Sequence, residues 1–414
     1  MSRYFDEQET VGRGKREKDQ GEALRLMAER GCRKSPFFRK TLEGLSLEPA
    51  QLASVKELEK LPVITREILI DLQKAEPPFG GLADPEARID RIFVSPGPVY
   101  EPHLSESDPL WARAYTAAGL GPHDIVLNAF SHHLVAAGLT FHGGLRRIGA
   151  TVVPSGTSGA QIQVQLIRDL RVTAYTGTPS FLMAIIRKAE EEGYAFRKNF
   201  SLRKACFAAE PLEASLRERF ENEYGIDTYQ MYGATEVGDI AYECSEKRGW
   251  HLCEEVLVEI VDPATGQNVP RGALGQVVVT RFNPLFFLFR FGTGDLSRLI
   301  EEPCSCGRTS CRLDGIFGRI GDAVKVRGLF VAPSQLKEIQ KKHPGIRFQL
   351  LIARTAHEDH LTVRFAGEAG KDFKEKFCSD FREICTVRID HMERISPDEM
   401  KEGDPLILDR RDWR

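Results

Sequence analysis

The sequence predicts an α/β protein, with a large N-terminal domain of mixed sheets and covering helices and a small C-terminal α/β domain. Three observations support this prediction. A chain of 414 residues is too long for one small core, so two or more domains are expected. Between residues 91 and 224, short apolar segments alternate with segments of helical length, which is typical of a parallel sheet covered on both faces. Beyond about residue 251, paired apolar segments joined by turns indicate antiparallel hairpins.

The individual elements follow from the same patterns. Helices and connectors are expected over the first 75 residues or so, because apolar residues such as Leu24 and Met27 share a helical face. Strands are expected at 91–94, 125–130, 151–154, 174–176 and 204–209, helices at 161–170, 181–192 and 216–224, and a hairpin between 256–261 and 276–280. A boundary near residue 321 gives domains 1–320 and 321–414, the second with strands at 350–353, 360–365 and 386–389 and a helix at 371–385.

Composition and charge narrow the function classes. A formal net charge of -3 argues against a general nucleic-acid binder. No apolar run approaches the roughly 18 residues that a membrane helix needs, and the charged N-terminus lacks the apolar core of a secretory signal. The nine cysteines are therefore expected to be reduced thiols in a cytoplasmic protein, with a metal site left open.

The segment MYGATEVG, residues 231–238, carries the strongest chemical pattern. Gly233 permits a tight turn beside a ligand. Thr235 offers a hydroxyl to a phosphate oxygen, and Glu236 offers a carboxylate to a magnesium ion. Taken alone, the segment is equally typical of a surface turn with a capping threonine. Three further segments occur with it in a fixed order: AAEP at 208–211, RFGTGDLSRL at 290–299 and GRIGDAVKVRGLFVAP at 318–333.

Together these segments resemble the adenylate-forming superfamily of acyl-CoA synthetases, luciferases and peptide-synthetase adenylation domains. Within it, the chain is most similar to the phenylacetate-CoA ligase family. The features that carry this resemblance are LEKLPVITRE at 58–67, GLTFHGGLRRIGATVVP at 138–154, GTPSFL at 177–182 and CSCGRTSC at 304–311. The resemblance extends from about residue 20 to residue 411, and it implies a large AMP-binding domain and a small mobile domain that swings about a hinge at Gly321.

The resemblance also implies residues that hold the nucleoside. Ala209, Glu210 and Tyr232 match positions that surround adenine, and Gly233 lies beside them. A flat aromatic ring with nearby backbone groups suits a purine. Asp295 matches the residue that grips both ribose hydroxyls, a role that fits an acceptor-only carboxylate.

Other matching residues are expected to handle phosphate. Thr235 and Glu236 match the α-phosphate and magnesium positions and are the expected catalytic pair. Arg319 matches a second ribose or phosphate contact, which its fixed fork of donors suits. Ser95 and Gly97 fit the phosphate-binding loop.

That loop, residues 94–102, otherwise departs from the family pattern. Pro96 and Pro98 lack the backbone N–H groups that cradle phosphate. Glu101 stands where a lysine would face pyrophosphate. A unit charge about 4 Å from a phosphate is worth roughly 4 kcal/mol at an effective dielectric of ~20, and here its sign is reversed. Either Glu101 points away, or triphosphate is bound differently, or ATP is bound weakly.

The adenylation lysine is displaced as well. The family places it six residues before an aspartate-basic-arginine ending, which is Asp409-Arg410-Arg411 here. Lys401 lies eight residues before that ending, so it serves only if the loop adjusts by two residues. A solvated loop lysine is the alternative.

The acyl pocket of the family lies between the helix after Phe130 and the strand before Tyr232. Phe130, His133, His142 and Phe181 are the candidates to line it, and such walls would suit an apolar or aromatic acid. Residues 155–159, SGTSG, look like a phosphate loop, but they follow the wrong strand for the superfamily. We interpret them as a strand-to-helix turn.

A cysteine cluster forms a separate candidate site. Cys304, Cys306 and Cys311 have C-x-C-x4-C spacing, and with Cys244 they could hold a zinc ion tetrahedrally. Cys253, close in sequence to His251, is a substitute ligand. Reduced loop thiols without metal are the alternative.

Three functional hypotheses remain. The first is an ATP-dependent ligase that joins an aryl or arylacetic acid to coenzyme A through an acyl-adenylate, with ATP/AMP, Mg²⁺ and CoA as cofactors and a structural Zn²⁺. The second is a degenerate binder of nucleotide or acyl-adenylate, and the third is an adenylating enzyme with a non-CoA acceptor. The expected partners are small molecules (carboxylic acid, ATP and CoA), not nucleic acid or membrane, and a homodimer is the candidate assembly.

Overall fold

The computed structural model describes residues 3–104, 110–273, 275–320, 324–327, 329–331, 333–355, 358–370, 372–385, 387–401 and 403–411. The chain divides into two compact units, Met1–Ile320 and Gly321–Arg414. The expected hinge residue Gly321 lies outside the described residues. The mobility of the second unit remains a prediction.

The larger unit contains ten α-helices among its described residues: α1 Arg13–Lys34, α2 Pro36–Leu45, α3 Val55–Leu58, α4 Arg66–Ala75, α5 Ala112–Ala117, α6 Ala137–Arg147, α7 Ala160–Asp169, α8 Pro179–Glu191, α9 Phe196–Asn199 and α10 Ala214–Glu218. Its strands are β1 Arg91–Ser95, β2 Val99–His103, β3 Ile125–Asn128, β4 Thr151–Val153, β5 Ala174–Gly177, β6 Lys204–Phe207, β7 Asp227–Ala234, β8 Gly238–Glu243, β9 Trp250–Leu252, β10 Val256–Val261, β11 Gly275–Arg281, β12 Phe291–Ser297, β13 Leu299–Ile300, β14 Arg312–Leu313 and β15 Gly318–Arg319.

A nine-stranded mixed sheet forms the centre of the larger unit, in the order β13-β14-β9-β8-β7-β6-β5-β3-β4. Strands β4, β3, β5, β6 and β7 are parallel to their neighbours, as the alternation of strands and helices predicts. Strand β8 then runs antiparallel to β7. Since β3, β5, β6 and β7 end at one edge, the residues that follow them gather there.

A second, antiparallel sheet has the order β10-β11-β12-β15. Its β10–β11 pair is the hairpin predicted near residues 256–280, and a dense apolar core covers both strands. Strand β12 pairs with β15 in a register that sets Asp295 opposite Arg319. Strands β1 and β2 form a separate hairpin with Ser95 opposite Val99.

The smaller unit contains helices α11 Pro333–Lys342 and α12 Phe373–Cys385 and strands β16 Val324–Val326, β17 Leu329–Val331, β18 Arg347–Thr355, β19 Glu358–Ala366, β20 His391–Arg394 and β21 Ile407–Asp409. Strands β20-β19-β18-β21 form one sheet around a separate apolar core. None of the described helices in either unit is long and apolar enough to span a membrane.

The predicted strand at 386–389 is wrong for its described residues. Val387 is buried in the core and Ile389 packs against it, which explains the strand-like alternation. The Asp390 carboxylate, however, accepts a hydrogen bond of 2.8 Å from the backbone N–H of Leu361. The ladder with β19 therefore begins only at His391.

Candidate active site

The segment MYGATEVG contains the end of β7, the turn that follows and the first residue of β8, at the sheet edge where the parallel strands end. A Cβ atom on Gly233 would lie 2.5 Å from the carbonyl oxygen of Gly238 and 2.6 Å from the Trp111 ring, so only glycine fits. The Val237 N–H closes the turn by donating to the Ala234 carbonyl at 3.1 Å. Beside it, the Thr235 hydroxyl donates to Glu236 Oε2 at 3.2 Å.

Three of the predicted nucleotide-binding residues lie together although they come from two sheets, Tyr232 from β7 and Asp295 and Arg319 from the paired strands β12 and β15. The Tyr232 hydroxyl donates to Asp295 Oδ2 at 2.8 Å, and Arg319 Nε lies 2.9 Å from Asp295 Oδ1. Burial and the Asp295 charge raise the pKa of Tyr232 well above its usual value, so its hydroxyl stays a donor. This arrangement presents a carboxylate and a guanidinium beside an aromatic ring.

Ala209 and Glu210 directly follow β6, the parallel neighbour of β7. Ala209 adopts a left-handed backbone conformation with φ of 72° and is exposed. The Glu210 carboxylate accepts a hydrogen bond of 3.4 Å from the Ser180 N–H at the start of α8. Both residues therefore lie at the same sheet edge as Tyr232.

The predicted phosphate loop is a short hairpin, residues 91–103, which we call the phosphate hairpin. Pro96, Gly97 and Pro98 form its turn, and Ser95 is buried. Helix α4 holds the hairpin. Arg66 Nη1 donates to the Pro96 carbonyl at 3.2 Å, and the Gln73 side chain bonds to both the N–H and the carbonyl of Tyr100, at 2.9 and 2.8 Å.

Glu101 points inward from β2 and is buried. Burial, and then the negative charge of Glu236, raise the pKa of Glu101 to about 8; the Ser95 and Thr235 hydroxyls and the Arg66 guanidinium act in the opposite direction. The carboxyl is therefore largely protonated at neutral pH. The effect of Glu101 on ATP binding remains a prediction.

Arg66 is a site residue that sequence reasoning missed. Its Nη2 atom lies 2.6 Å from Glu236 Oε1, and the Glu236 side chain is fully buried. The guanidinium thus neutralises the carboxylate that was predicted to bind magnesium. The available signal was the position of Arg66 in LPVITRE, one of the segments that carry the family resemblance.

An open cavity of about 740 Å³ lies beside the sheet edge. The residues that line it are Ser131, His132, His133, Leu134, Pro154, Gly156 and Thr157. Of the four predicted pocket residues, only His133 is among them. The turn at 155–159 contributes to the cavity wall, in addition to joining β4 to α7.

The other three predicted pocket residues lie elsewhere. Phe130 is buried in the core and stacks on Phe141, with ring centroids 4.5 Å apart. Phe181 packs against the apolar cluster around α8. The His142 ring lies 6.3 Å from the His132 ring. The role of these three residues in an acyl pocket remains a prediction.

The cysteine site also differs from the prediction. The side-chain ligand atoms of Cys244, His251, Cys304 and Cys306 all lie within 4.8 Å of one another. His251, on β9, takes the place predicted for Cys311, whose thiol is not part of this group. The reason is the register between β9 and β14, which sets His251 opposite Arg312 and the Cys304–Cys306 loop.

The four side chains have the chemistry of a structural metal site. Cys244 Sγ lies 3.8 Å from Cys304 Sγ, and Cys306 Sγ lies 3.3 Å from His251 Nε2. The Cys244 thiol and the His251 ring hold the pKa of Cys306 well below its usual range. Ser310 Oγ lies 3.4 Å from the other ring nitrogen of His251, which leaves Nε2 for a metal.

An N-terminal segment, residues 3–11, covers this cluster and was not predicted. The Tyr4 hydroxyl donates to the Cys306 carbonyl at 3.0 Å. The Glu9 carboxylate, 1% exposed, accepts hydrogen bonds from Arg308 Nε at 2.6 Å and from the Tyr242 hydroxyl at 3.1 Å. The segment is thus fixed to the cysteine loop by buried polar contacts.

Lys401 is exposed in the smaller unit, where its backbone N–H donates to Asp404 Oδ2 at 2.8 Å. Its role as the adenylation lysine remains a prediction.

Comparisons with known proteins agree with this geometry. Residues 107–283 match the family model described as "AMP-binding enzyme". The chain is 30% identical over 394 residues to a phenylacetate-coenzyme A ligase of Thermus thermophilus, with 91% of this chain and 87% of the relative covered. It is 31% identical over 344 residues to the Escherichia coli phenylacetate-coenzyme A ligase, covering 80% and 77% of the two chains.

Among solved structures, the chain is similar to 2-hydroxyisobutyryl-CoA ligase in complex with 2-HIB-AMP and CoA. The TM-score is 0.88 at 25% identity, with 100% of this chain and 93% of the other covered. The turn at 231–238, the Tyr232–Asp295–Arg319 group and the extent of the sequence match lead to the same conclusion. The chain belongs to the phenylacetate-coenzyme A ligase family of AMP-binding enzymes.

Proposed function

We propose that this protein is an ATP-dependent acid–coenzyme A ligase that forms an acyl-adenylate and then a CoA thioester. The observation that carries the proposal is the Tyr232–Asp295–Arg319 group next to the Thr235–Glu236 turn. It provides an aromatic surface, a ribose acceptor and a phosphate donor at one sheet edge. Relatives named as CoA ligases, and a structural neighbour that holds an acyl-AMP and CoA, support the same reaction.

The proposed reaction has two steps. The acid carboxylate attacks the α-phosphorus of ATP and releases pyrophosphate, and the CoA thiol then attacks the acyl carbon and releases AMP. Asp295 would accept hydrogen bonds from the ribose hydroxyls, and Thr235 would donate one to the α-phosphate. A magnesium ion on Glu236 would neutralise phosphate charge, while Lys401 is the proposed cation for the first step. These residues act by positioning and charge stabilisation.

The proposed acid is an aryl or arylacetic acid. The cavity of about 740 Å³ has room for such a molecule, and the edges of its histidine rings and Leu134 provide flat and apolar contacts. His132 suits this environment, since burial and the nearby His142 lower its pKa and keep the ring neutral.

Exchange of labelled pyrophosphate into ATP, with a panel of carboxylic acids, tests the first step. Exchange with an aromatic acid, followed by thioester formation only when CoA is added, is the expected result. Exchange without any CoA thioester would favour an adenylating enzyme with an amine or carrier-protein acceptor. Tight AMP binding with no exchange for any acid would favour a degenerate nucleotide binder.

We further propose a structural zinc ion held by Cys244, His251, Cys304 and Cys306. Three thiolates and one imidazole are a common tetrahedral zinc set, and their ligand atoms already converge. The ion would join the end of β8 and the neighbouring strand β9 to the loop before β14, which is distant from them in sequence.

Elemental analysis of the purified protein tests the zinc site with a matched pair of variants. The wild type should contain about one equivalent of zinc, and Cys306→Ser should lose most of it. Cys311→Ser should keep it, because Cys311 lies on the same loop but outside the cluster. Equal loss from both variants, or a metal-free wild type with intact thiols, would contradict this ligand set.

Location and assembly are proposed separately. Nine free cysteines favour the reducing cytoplasm, which cell fractionation would test. A homodimer is the proposed assembly, and light scattering of the purified chain would measure its mass directly.

A further inference from the structure

Three buried oxygen atoms of the phosphate hairpin lack hydrogen-bond partners among the described residues, namely Ser95 Oγ and both carboxyl oxygens of Glu101. Nearby, the buried Glu236 Oε1 is paired with Arg66 Nη2 at 2.6 Å. Ser95 is 2% exposed, Glu101 6% and Glu236 7%. Buried polar atoms are nearly always satisfied, so such a group points to a ligand that supplies the missing contacts.

The two carboxyls belong to one site. Arg66 links the hairpin to Glu236, because its Nη1 donates to the Pro96 carbonyl at 3.2 Å and its Nη2 lies 2.6 Å from Glu236 Oε1. The Thr235 hydroxyl lies 3.2 Å from Glu236 Oε2. The charges of Glu236 and Arg66 both act on Glu101 of the hairpin. Strand β2, the turn before β8 and helix α4 therefore meet at these two side chains.

Carboxylate and hydroxyl oxygens are the ligands that hard divalent cations prefer. The hairpin turn cannot offer many donors to phosphate, because Pro96 and Pro98 have no N–H. A cation held by two carboxylates would supply the positive charge that the turn lacks, and it would satisfy the buried oxygens together.

We propose that Glu101 is a second carboxylate ligand, together with Glu236, for a divalent cation at the phosphate hairpin. The cation would hold the pyrophosphate end of ATP where related enzymes use a loop lysine. The proposal rests on the proposed adenylation reaction for its role, but the cation site itself can be tested without substrate.

Arg66 pairs with the carboxylate that the cation would bind. Its side chain is 20% exposed, and its Nη2 atom lies 2.6 Å from the buried Glu236 carboxylate. A divalent cation must displace this pair to reach Glu236. Removing the guanidinium should therefore strengthen cation binding in the absence of ATP, an effect opposite in sign to that of removing either carboxyl.

Binding of Mn²⁺ to the full-length, zinc-loaded protein, measured by electron paramagnetic resonance at one fixed pH without ATP, tests the proposal. Glu101→Gln and Glu236→Gln should each weaken binding by at least about tenfold, since an amide cannot become the negatively charged ligand that a carboxyl provides once the cation has displaced any proton on it. Arg66→Gln should tighten binding severalfold. Glu254→Gln is the matched control, because Glu254 is also a buried carboxylate but pairs with Arg16 at 2.8 Å.

Equal Mn²⁺ affinity of Glu101→Gln and the wild type would overturn the proposal, as would a wild type that binds no Mn²⁺. Thermal unfolding of each variant shows whether a loss of binding reflects a loss of folding. The pyrophosphate-exchange assay separates the cation-site proposal from the proposed ligase function. Exchange activity with Mn²⁺ affinity that does not depend on Glu101 would contradict the cation site alone. Mn²⁺ affinity that depends on both carboxyls, without exchange for any acid, would contradict the ligase function alone.

Discussion

The carboxylate of Asp295 contacts two other predicted site residues at once. One oxygen accepts the Tyr232 hydroxyl and the other pairs with Arg319, so the side chain is fixed before any nucleotide binds. Its surroundings are only partly buried, which leaves it accessible to a ribose. A preformed acceptor of this kind should contribute to affinity for ATP rather than to folding.

Asp295→Ala should therefore raise the KM for ATP by about 10- to 100-fold, corresponding to about 1.4 to 3 kcal/mol of lost hydrogen bonding to a charged group. Steady-state kinetics of pyrophosphate exchange at varied ATP concentration would measure this KM. Asp314→Ala is the control, because Asp314 also pairs with an arginine, at 2.6 Å, but outside the site. An equal effect of both substitutions would contradict a specific role of Asp295.

Sequence reasoning succeeded and failed at this scale for physical reasons. Asp295, Arg319 and Tyr232 lie in short segments whose order along the chain carries information, and the structure brings them together. His251 could not be preferred over Cys311, because the choice depends on the register between β9 and β14. The burial of Glu101 was equally hidden, since period-two alternation does not tell which face of a two-stranded hairpin is covered.

At the scale of elements, the turn between β7 and β8 depends on close backbone approach. Gly233→Ala would place a methyl group within 2.6 Å of both a carbonyl oxygen and the Trp111 ring, so the turn must shift. We expect pyrophosphate exchange to fall by about 100-fold or more, because displacements near 1 Å carry costs of that order.

Gly159→Ala serves as the control for that prediction. No atom lies within 4 Å of a Cβ at Gly159, and the residue only precedes α7. Its exchange rate and unfolding temperature should match those of the wild type. Normal exchange by Gly233→Ala would show that the turn tolerates the shift.

The β18–β19 pair of the smaller unit depends on a buried carboxylate. Burial alone would raise the pKa of Asp359, but the hydrogen bond from Arg354 and the charges of Arg354 and Arg411 outweigh it and hold the pKa below its usual 3.8. Because the pKa of Asp359 is depressed in the folded state, its carboxylate stabilises the fold at pH values above about 3.9, the pKa expected in the unfolded state. This stabilisation is lost as the pH falls through the folded-state pKa.

Hydrogen exchange of the β18 and β19 amides, corrected for intrinsic rates, tests this dependence. At pH 7, Asp359→Asn should lower the opening free energy of these amides by about 1–3 kcal/mol relative to the wild type. This difference between variant and wild type should become smaller at acidic pH. Asp398→Asn, at an exposed position, should change neither value. A difference in opening free energy that does not change with pH would show that Asp359 acts through packing only.

At the scale of the whole molecule, each unit has a core of its own. The proposed zinc ion lies in the larger unit, so its removal should act on that unit alone. With a strong chelator under reducing conditions, calorimetry should show the larger unit's transition lowered by about 5–10 °C, from a loss of several kcal/mol. The smaller unit's transition should not move, and a parallel fall of both would contradict independent cores.

The fold class could be predicted because the alternation of strand-length and helix-length segments is a local feature of the sequence. The contacts of residues 3–11 could not be predicted. They join Tyr4 and Glu9 to Cys306 and Arg308, about 300 positions away, and the segment looked like an ordinary charged N-terminus. Nothing in local periodicity reports a partner at that distance.

Those contacts also constrain how the protein is made. Residues 3–11 find their partners only when residues near 308 have also left the ribosome, so the larger unit can close only after synthesis has passed that point. Until then Glu9 lacks the arginine that neutralises it in the fold. A product truncated before Arg308 would therefore keep this carboxylate without its buried partner.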